Sequence, residues 1–352
     1  EPYGFSPGAP LEEVLDDAVR HRLVADVPVG TYNSGGVDSS YISHLVRKRK
    51  PEGLHTFSVG FDVSPYDESR FAGLVAETIG STHHKITLCA DDYAELLPKA
   101  VWHLDEPLHH AHTVQLMHLS AEARKFVTVV LTGEGADEIF AGYPRYQIPL
   151  LAPKIGWLPG SVLRAAGAVA GRIGQRRVEK LLAAARSHEP AMIRQAAFID
   201  PSALDALVAA TPCLPTSRTS IASQFDGLPE LERILSYDRA TYMQSLLQRL
   251  DRTTMANGLE ARVPFLDHRV IRWSQSLPSA SKLRPWRDNK IILKDAVRAI
   301  FPPEIVDRPK MGFDVPISAW LRDPKGLMNL LGILTDGTAR SRGLFDSVQV
   351  DR

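Results

Sequence analysis

VPVGTYNSGGVDSSYISHLV, at residues 27–46, reads as a buried strand, a glycine turn and a helix. That succession places the backbone amides of a first helical turn, with the positive end of the helix dipole behind them, where they can bind phosphate. Ser34 and Ser39 offer hydroxyls, and Gly35 and Gly36 let the backbone approach an anion closely. No lysine follows the glycines and the spacing is not GxGxxG, so neither a Walker loop nor a dinucleotide fingerprint is present. Asp38 stands one turn into this anion site and would repel phosphate unless a cation lay between them. Magnesium bridging carboxylate and phosphate oxygens supplies such a cation.

Outward from this loop, short β-branched runs alternate with helical patterns, the signature of βαβ units. The spacing predicts strands over 27–32, 54–61, 83–88 and 126–131, and helices over 37–48, 67–79, 93–102 and 114–124. The expected fold class is α/β, a parallel sheet flanked by helices, with a mainly α-helical C-terminal half. Three segments are expected: a nucleotide-binding core over 1–143, a helical insertion or linker over 144–228, and a helical part over 229–352 that completes the site.

With 352 residues, 44% of them hydrophobic, the chain can bury a large core. Its 41 basic and 41 acidic residues cancel, so no long-range field recruits nucleic acid or an anionic membrane. Two cysteines, Cys89 and Cys213, make no disulfide framework and no zinc pattern. No apolar run approaches the roughly 20 residues of a membrane span, and a cytoplasmic location is expected.

Three further segments choose a family. LTGEGADEIFAGYPRY at 131–146, LDRTTMANGLEARVPFLDHRV at 250–270 and RPKMGFDVP at 308–316 follow the loop in order. SGGVDSS resembles the pyrophosphate loop of the N-type ATP pyrophosphatases, whose fold is adenine nucleotide α-hydrolase-like, and the other segments resemble the signatures of asparagine synthetases. The resemblance spans nearly the whole chain. It implies ATP as substrate with Mg2+, cleavage between the α and β phosphates, and aspartate or a related carboxylate activated as an acyl-adenylate that ammonia converts to an amide. It implies that Asp38 and Asp137 hold magnesium, that Glu134 faces the reaction centre, and that adenine lies against Tyr32, Val59, Thr132 and Gly133. Ring-closing relatives that make β-lactams place tyrosine where Glu134 stands, so glutamate points to ammonia as the nucleophile.

In the second signature Asp251 and Arg252 are expected to begin a helix. Glu260, Arg262 and Asp267 read equally as an internal ion-pair network or, for Asp251 or Arg262, as contacts to the amino-acid substrate. Lys310, between Pro309 and Gly312, is the candidate cation for the departing pyrophosphate, and Arg308 is a second candidate for that role. Three histidines, His109, His110 and His112, depart from the usual family wording, as does Tyr32-Asn33, and both departures touch substrate identity. Two alternatives stay open: the same chemistry on another carboxylate, as in natural-product amidotransferases, β-lactam synthetase-like enzymes or peptide cyclases, and a nucleotide-binding regulator without catalysis. Glutamine-dependent relatives carry an N-terminal glutaminase domain. These residues hold no such domain, so the chain as given is expected to use free ammonia rather than glutamine. A homodimer stays open as a partner arrangement.

Overall fold

The computed structural model describes residues 5–186, 192–193, 206–208, 217–308 and 314–350. Lys310 and Cys213 lie outside them. In chain order the first elements are α1 (Leu11–Arg22), β1 (Val29–Tyr32), α2 (Val37–Arg49), β2 (His55–Phe61), α3 (Ser69–Ile79), β3 (Thr82–Leu88), α4 (Ala90–Leu104), α5 (His112–Ala123), β4 (Val129–Leu131) and α6 (Ala136–Phe140). The four strands and four helices expected around the loop are all present, with ends displaced by at most three residues.

Among the described residues the strands form one five-stranded parallel sheet of order β3-β2-β1-β4-β5, in which β5 (Glu260–Arg262) was not anticipated. Three residues are too few to show a period, and only the ladder with Val129–Leu131 makes them a strand. β1 and β4 are buried at every residue, as strands covered on both faces must be. The chain leaves β1 toward β2 on one side and returns to β4 on the other. Their carboxyl ends therefore flank the switch point where α/β sheets bind ligands.

The chain divides into two compact units. Unit 1 comprises residues 1–139, 245–277 and 291–331, and unit 2 comprises residues 140–244, 278–290 and 332–352. This division interleaves the sequence rather than cutting it at 143 and 228, because residues 245–277 rejoin the sheet. In unit 2, α7 (Gln147–Ile155), α8 (Gly160–Arg172), α9 (Arg176–Ala184) and α10 (Glu230–Ala240) supply the expected helices. Within it Arg145 is held on several sides. This side chain meets Asp238 at 2.5 Å, and Tyr146 Oη donates to the same carboxylate at 2.7 Å. The Arg145 guanidinium lies 4.8 Å over the ring of Tyr143 and 4.5 Å over that of Tyr242.

In α11 (Tyr242–Met255), whose residues from Ser245 on belong to unit 1, Asp251 and Arg252 lie near the C-terminal end, not at a helix start. Buried Leu246, Leu250 and Thr253 continue one apolar stripe past them. Arg262 on β5 is committed to structure. Its Nε donates to Glu260 at 2.7 Å, and its Nη1 donates to the carbonyls of Arg22 and Val24 at 2.7 and 2.9 Å. Asp267 caps α12 (His268–Ser276) by accepting from the Arg269 amide and pairs with Arg22 and Arg269 at 2.8 and 2.9 Å. Of the two readings left open for this signature, the contacts of Arg262 and Asp267 match the ion-pair network. No helix among the described residues is long and apolar enough to cross a membrane.

Burial alone would raise the Asp267 pKa, but hydrogen bonds from Arg269 and Arg22 hold it well below the usual carboxylate range. Asp267→Ala should therefore destabilise the chain by about 3 kcal/mol, since it leaves a part-buried arginine pair without its carboxylate. Because the folded pKa is depressed, this contribution is complete above the unfolded value of about 4 and is lost as pH falls below it. Chemical denaturation of wild type and variant should differ fully at pH 7 and begin to converge only as the pH falls below about 4, whereas a difference still constant at about pH 2 would remove the ionic explanation.

Candidate active site

The turn after β1 is braced from within. Asn33 is buried; its amide oxygen accepts from Gly35 N and its amide nitrogen donates to Ala72 O, both at 3.0 Å. This departure from the family wording thus ties the loop to α3. Gly35 has φ +69°, and a Cβ there would lie 2.5 Å from the Phe71 carbonyl carbon, so only glycine fits. Ser39 Oγ accepts from Ser34 N at 3.1 Å, donates to Gly36 O at 3.2 Å and lies 3.1 Å from Ser34 Oγ. The N-cap of α2 is Gly36, which brings no capping side chain. The loop is thus closed by its own hydroxyls at an uncapped helix start, a geometry suited to an anion.

The turn after β4 presses against this helix start. Thr132 N continues the ladder to Arg262 O at 3.0 Å, and Thr132 Oγ1 accepts from Glu134 N at 3.2 Å. A Cβ on Gly133 would stand 2.8 Å from Ser39 N and 2.9 Å from Asp38 Cβ. Glycine at 133 therefore lets the two turns touch. The half-buried carboxylates Asp38 and Asp137 stand in the first turns of α2 and α6, the helices that follow these two turns. Two carboxylates beside an anion loop are a donor set that suits magnesium, which takes one or two protein carboxylates and completes its shell with water and phosphate oxygens. Among the described residues no group of three or more His, Cys, Asp or Glu is placed to hold a metal.

Glu134 has a partner that the sequence reading missed. Arg249 of α11 donates from Nη2 to Glu134 Oε1 at 2.7 Å; the arginine side chain is 3% exposed and the glutamate 28%. Arg249 Nε is buried and makes no hydrogen bond among the described residues. The signal was a basic residue between Leu246 and Leu250 on a buried helical stripe, a place where arginine needs a counter-charge. His110 stacks with His112 at 4.9 Å between ring centroids, and its Nε2 lies 3.5 Å from Ser245 Oγ. Burial, then Arg249 and His109, push the His110 pKa down to about 4. Burial and the Arg249 charge also lower that of His112. Both rings are therefore neutral at pH 7.

Of the other expected site residues, Tyr32 and Val59 pack in one apolar cluster with Leu116, Leu119 and Leu250. The Tyr32 hydroxyl is buried and unpartnered among the described residues, and burial raises its pKa. Asp251 is exposed. Two residues along a helix from Arg249, it projects about 200° away, and no contact joins it to Glu134. Ser34, Gly35, Gly36, Asp38, Ser39, Thr132, Gly133, Glu134 and Asp137 are brought together at one edge of the sheet.

Comparison with known proteins follows the same outline. The family model described as asparagine synthase matches residues 10–352. A putative glutamine-hydrolysing asparagine synthetase of Mycobacterium tuberculosis is 34% identical over 97% of the chain and 53% of its own length. Asparagine synthetase 1 of Bacillus subtilis is 32% identical over 89% of the chain and 50% of its own length. A Penicillium rubens protein named amidase chyE is 28% identical over 88% of the chain and 52% of its own length. The chain thus spans about half the length of these relatives.

The lowered His110 pKa has a stability consequence of definite sign. An unfolded histidine binds its proton near pH 6.5, whereas His110 in the fold does so only near pH 4. Between those values the unfolded state holds more protons, so stability falls as pH drops through this window. The urea midpoint should therefore fall more steeply for wild type than for His110→Gln between pH 6.5 and 4.5. Parallel profiles would show that His110 is not held neutral.

Proposed function

The chain belongs to the asparagine synthase family, and on that premise we propose that it joins nitrogen to a carboxylate activated by ATP, with aspartate as the acid and asparagine as the product. The observation that carries this reading is the contact of the two turns, in which Gly133, beside Glu134, presses on Asp38 and Ser39 of the anion loop. An oxygen of the aspartate side-chain carboxylate attacks the α phosphorus, and pyrophosphate leaves with the bond electrons. The loop amides and the hydroxyls of Ser34 and Ser39 receive the phosphates, and Asp38 and Asp137 would hold magnesium, which neutralises phosphate charge when bound. Lys310, outside the described residues, is assigned to the leaving pyrophosphate by its signature. Adenine is assigned to Tyr32, Val59, Thr132 and Gly133.

Ammonia then attacks the acyl carbon of β-aspartyl-AMP, loses a proton, and expels AMP. Glu134 is the proposed acceptor of that proton. Arg249 fixes one of its oxygens and leaves the other to face the nucleophile. In the whole protein the ammonia would come from a glutaminase domain outside these residues, as the glutamine-hydrolysing relatives suggest.

A second reading, the same two steps on a different carboxylate, is favoured by the histidines at 109, 110 and 112 and by the fungal relatives named amidases. A panel of carboxylic acids, each supplied with ATP, magnesium and ammonium, separates the two readings through pyrophosphate release. Aspartate should be the best acid. If another acid exceeds it by about tenfold or more, the second reading replaces the first, and release with no acid at all would sink both.

With the accepted acid, Asp38→Asn should reduce pyrophosphate release at least about 100-fold. Glu134→Gln should retain exchange between pyrophosphate and ATP while losing amide formation. Equal loss of both activities in Glu134→Gln would contradict the division of steps.

A further inference from the structure

We propose that Arg308 is a further phosphate-binding residue of this chain, receiving the β and γ phosphates of ATP and the pyrophosphate they become. The proposal rests on the reading that the loop at Ser34–Ser39 binds those phosphates. Arg308 is held on one edge only. Its Nη1 donates to Glu68 Oε1 at 2.7 Å, and its side chain is 14% exposed. The guanidinium carbon lies 4.4 Å over the ring of Phe71. Its other terminal nitrogen, Nη2, makes no hydrogen bond among the described residues. It lies 3.8 Å from the point where a side chain on Gly36 would begin. The unused edge of the fork is therefore at the phosphate loop.

Tethering this segment to α3 explains only half of the arrangement. For that purpose the Glu68 edge and the stack on Phe71 suffice, and nothing requires the second edge to reach the loop. The same ring carries a second cation, since Arg70 lies 4.5 Å over it. Glu68 pairs with Arg308 and also feels the charge of Asp314, while the loop side of the fork faces Gly36. Burial draws the Arg308 pKa down against the pull of Glu68, which marks a cation short of water. A desolvated, preorganised guanidinium with one edge unsatisfied is a strong partner for a phosphate oxygen. Placed there, it would stabilise the charge that grows on pyrophosphate as the bond to the α phosphorus breaks, without forming or breaking a bond itself.

Calorimetric titration of the full chain with magnesium pyrophosphate and, separately, with AMP tests this without knowledge of the carboxylate. Arg308→Met should weaken pyrophosphate binding by about tenfold or more, with AMP affinity unchanged. Arg308→Lys, which keeps the charge but loses the fork, should recover part of that loss. Wild-type affinity of Arg308→Met for pyrophosphate would overturn the assignment while the wider reading stands. An equal fall of pyrophosphate and AMP affinity would reduce Arg308 to a structural tether and overturn it too. If the wild-type chain bound neither probe, both this assignment and the nucleotide-site reading would fall. Should Arg308→Met not fold, Arg308→Lys decides by the same criterion: weaker pyrophosphate with unchanged AMP supports the proposal, and two unchanged affinities overturn it.

Discussion

The absence of a side chain at Gly133 is the constraint on which the site depends. A Cβ there would overlap the Ser39 amide nitrogen and Asp38 Cβ, so any other residue would push the β4 turn away from the first turn of α2. Neighbouring strands in a sheet stand about 4.8 Å apart, and β1 and β4 are neighbours. The turns that leave them have that much room and no more. Contact between them sets the turn that leads into Glu134 against the first turn of α2.

Around that contact the chain has spent its buried charge carefully. Arg249 is almost wholly removed from water and answers Glu134, while the two histidines beside it stay neutral instead of adding like charge. An unpaired buried arginine would be costly; a paired one fixes the orientation of the carboxylate it meets. Asn33 plays the corresponding part for the loop, by converting a buried amide into two hydrogen bonds that hold the glycine turn against α3.

Much of the unit 1 fold was legible in the sequence, because parallel βαβ units write strong local patterns: continuous apolar strands, amphipathic helices, glycine at the turn. What escaped was non-local. β5 is three residues long and is a strand only by virtue of β4, and the return of residues 245–277 to the sheet has no signal in composition. At the site, the acids and glycines were readable as types with a chemical purpose. Arg249 was not, since its meaning depends on Glu134, 115 positions earlier. Asp251, given a role by its segment, is exposed on the side of the helix away from Arg249.

The late arrival of β5 bears on how the polypeptide emerges from the ribosome. Once residue 131 has been made, β4 presents a raw edge of backbone donors and acceptors, and its proper neighbour at 260–262 lies some 130 residues downstream. At about 5–20 residues per second that interval lasts on the order of ten seconds. Throughout it the nascent sheet offers an open border to any extended strand nearby, the situation in which chains pair with the wrong neighbour. The brevity of β4, three residues between two turns, keeps that border short, so the strand that anchors the acids of the site also limits the hazard of waiting for its partner.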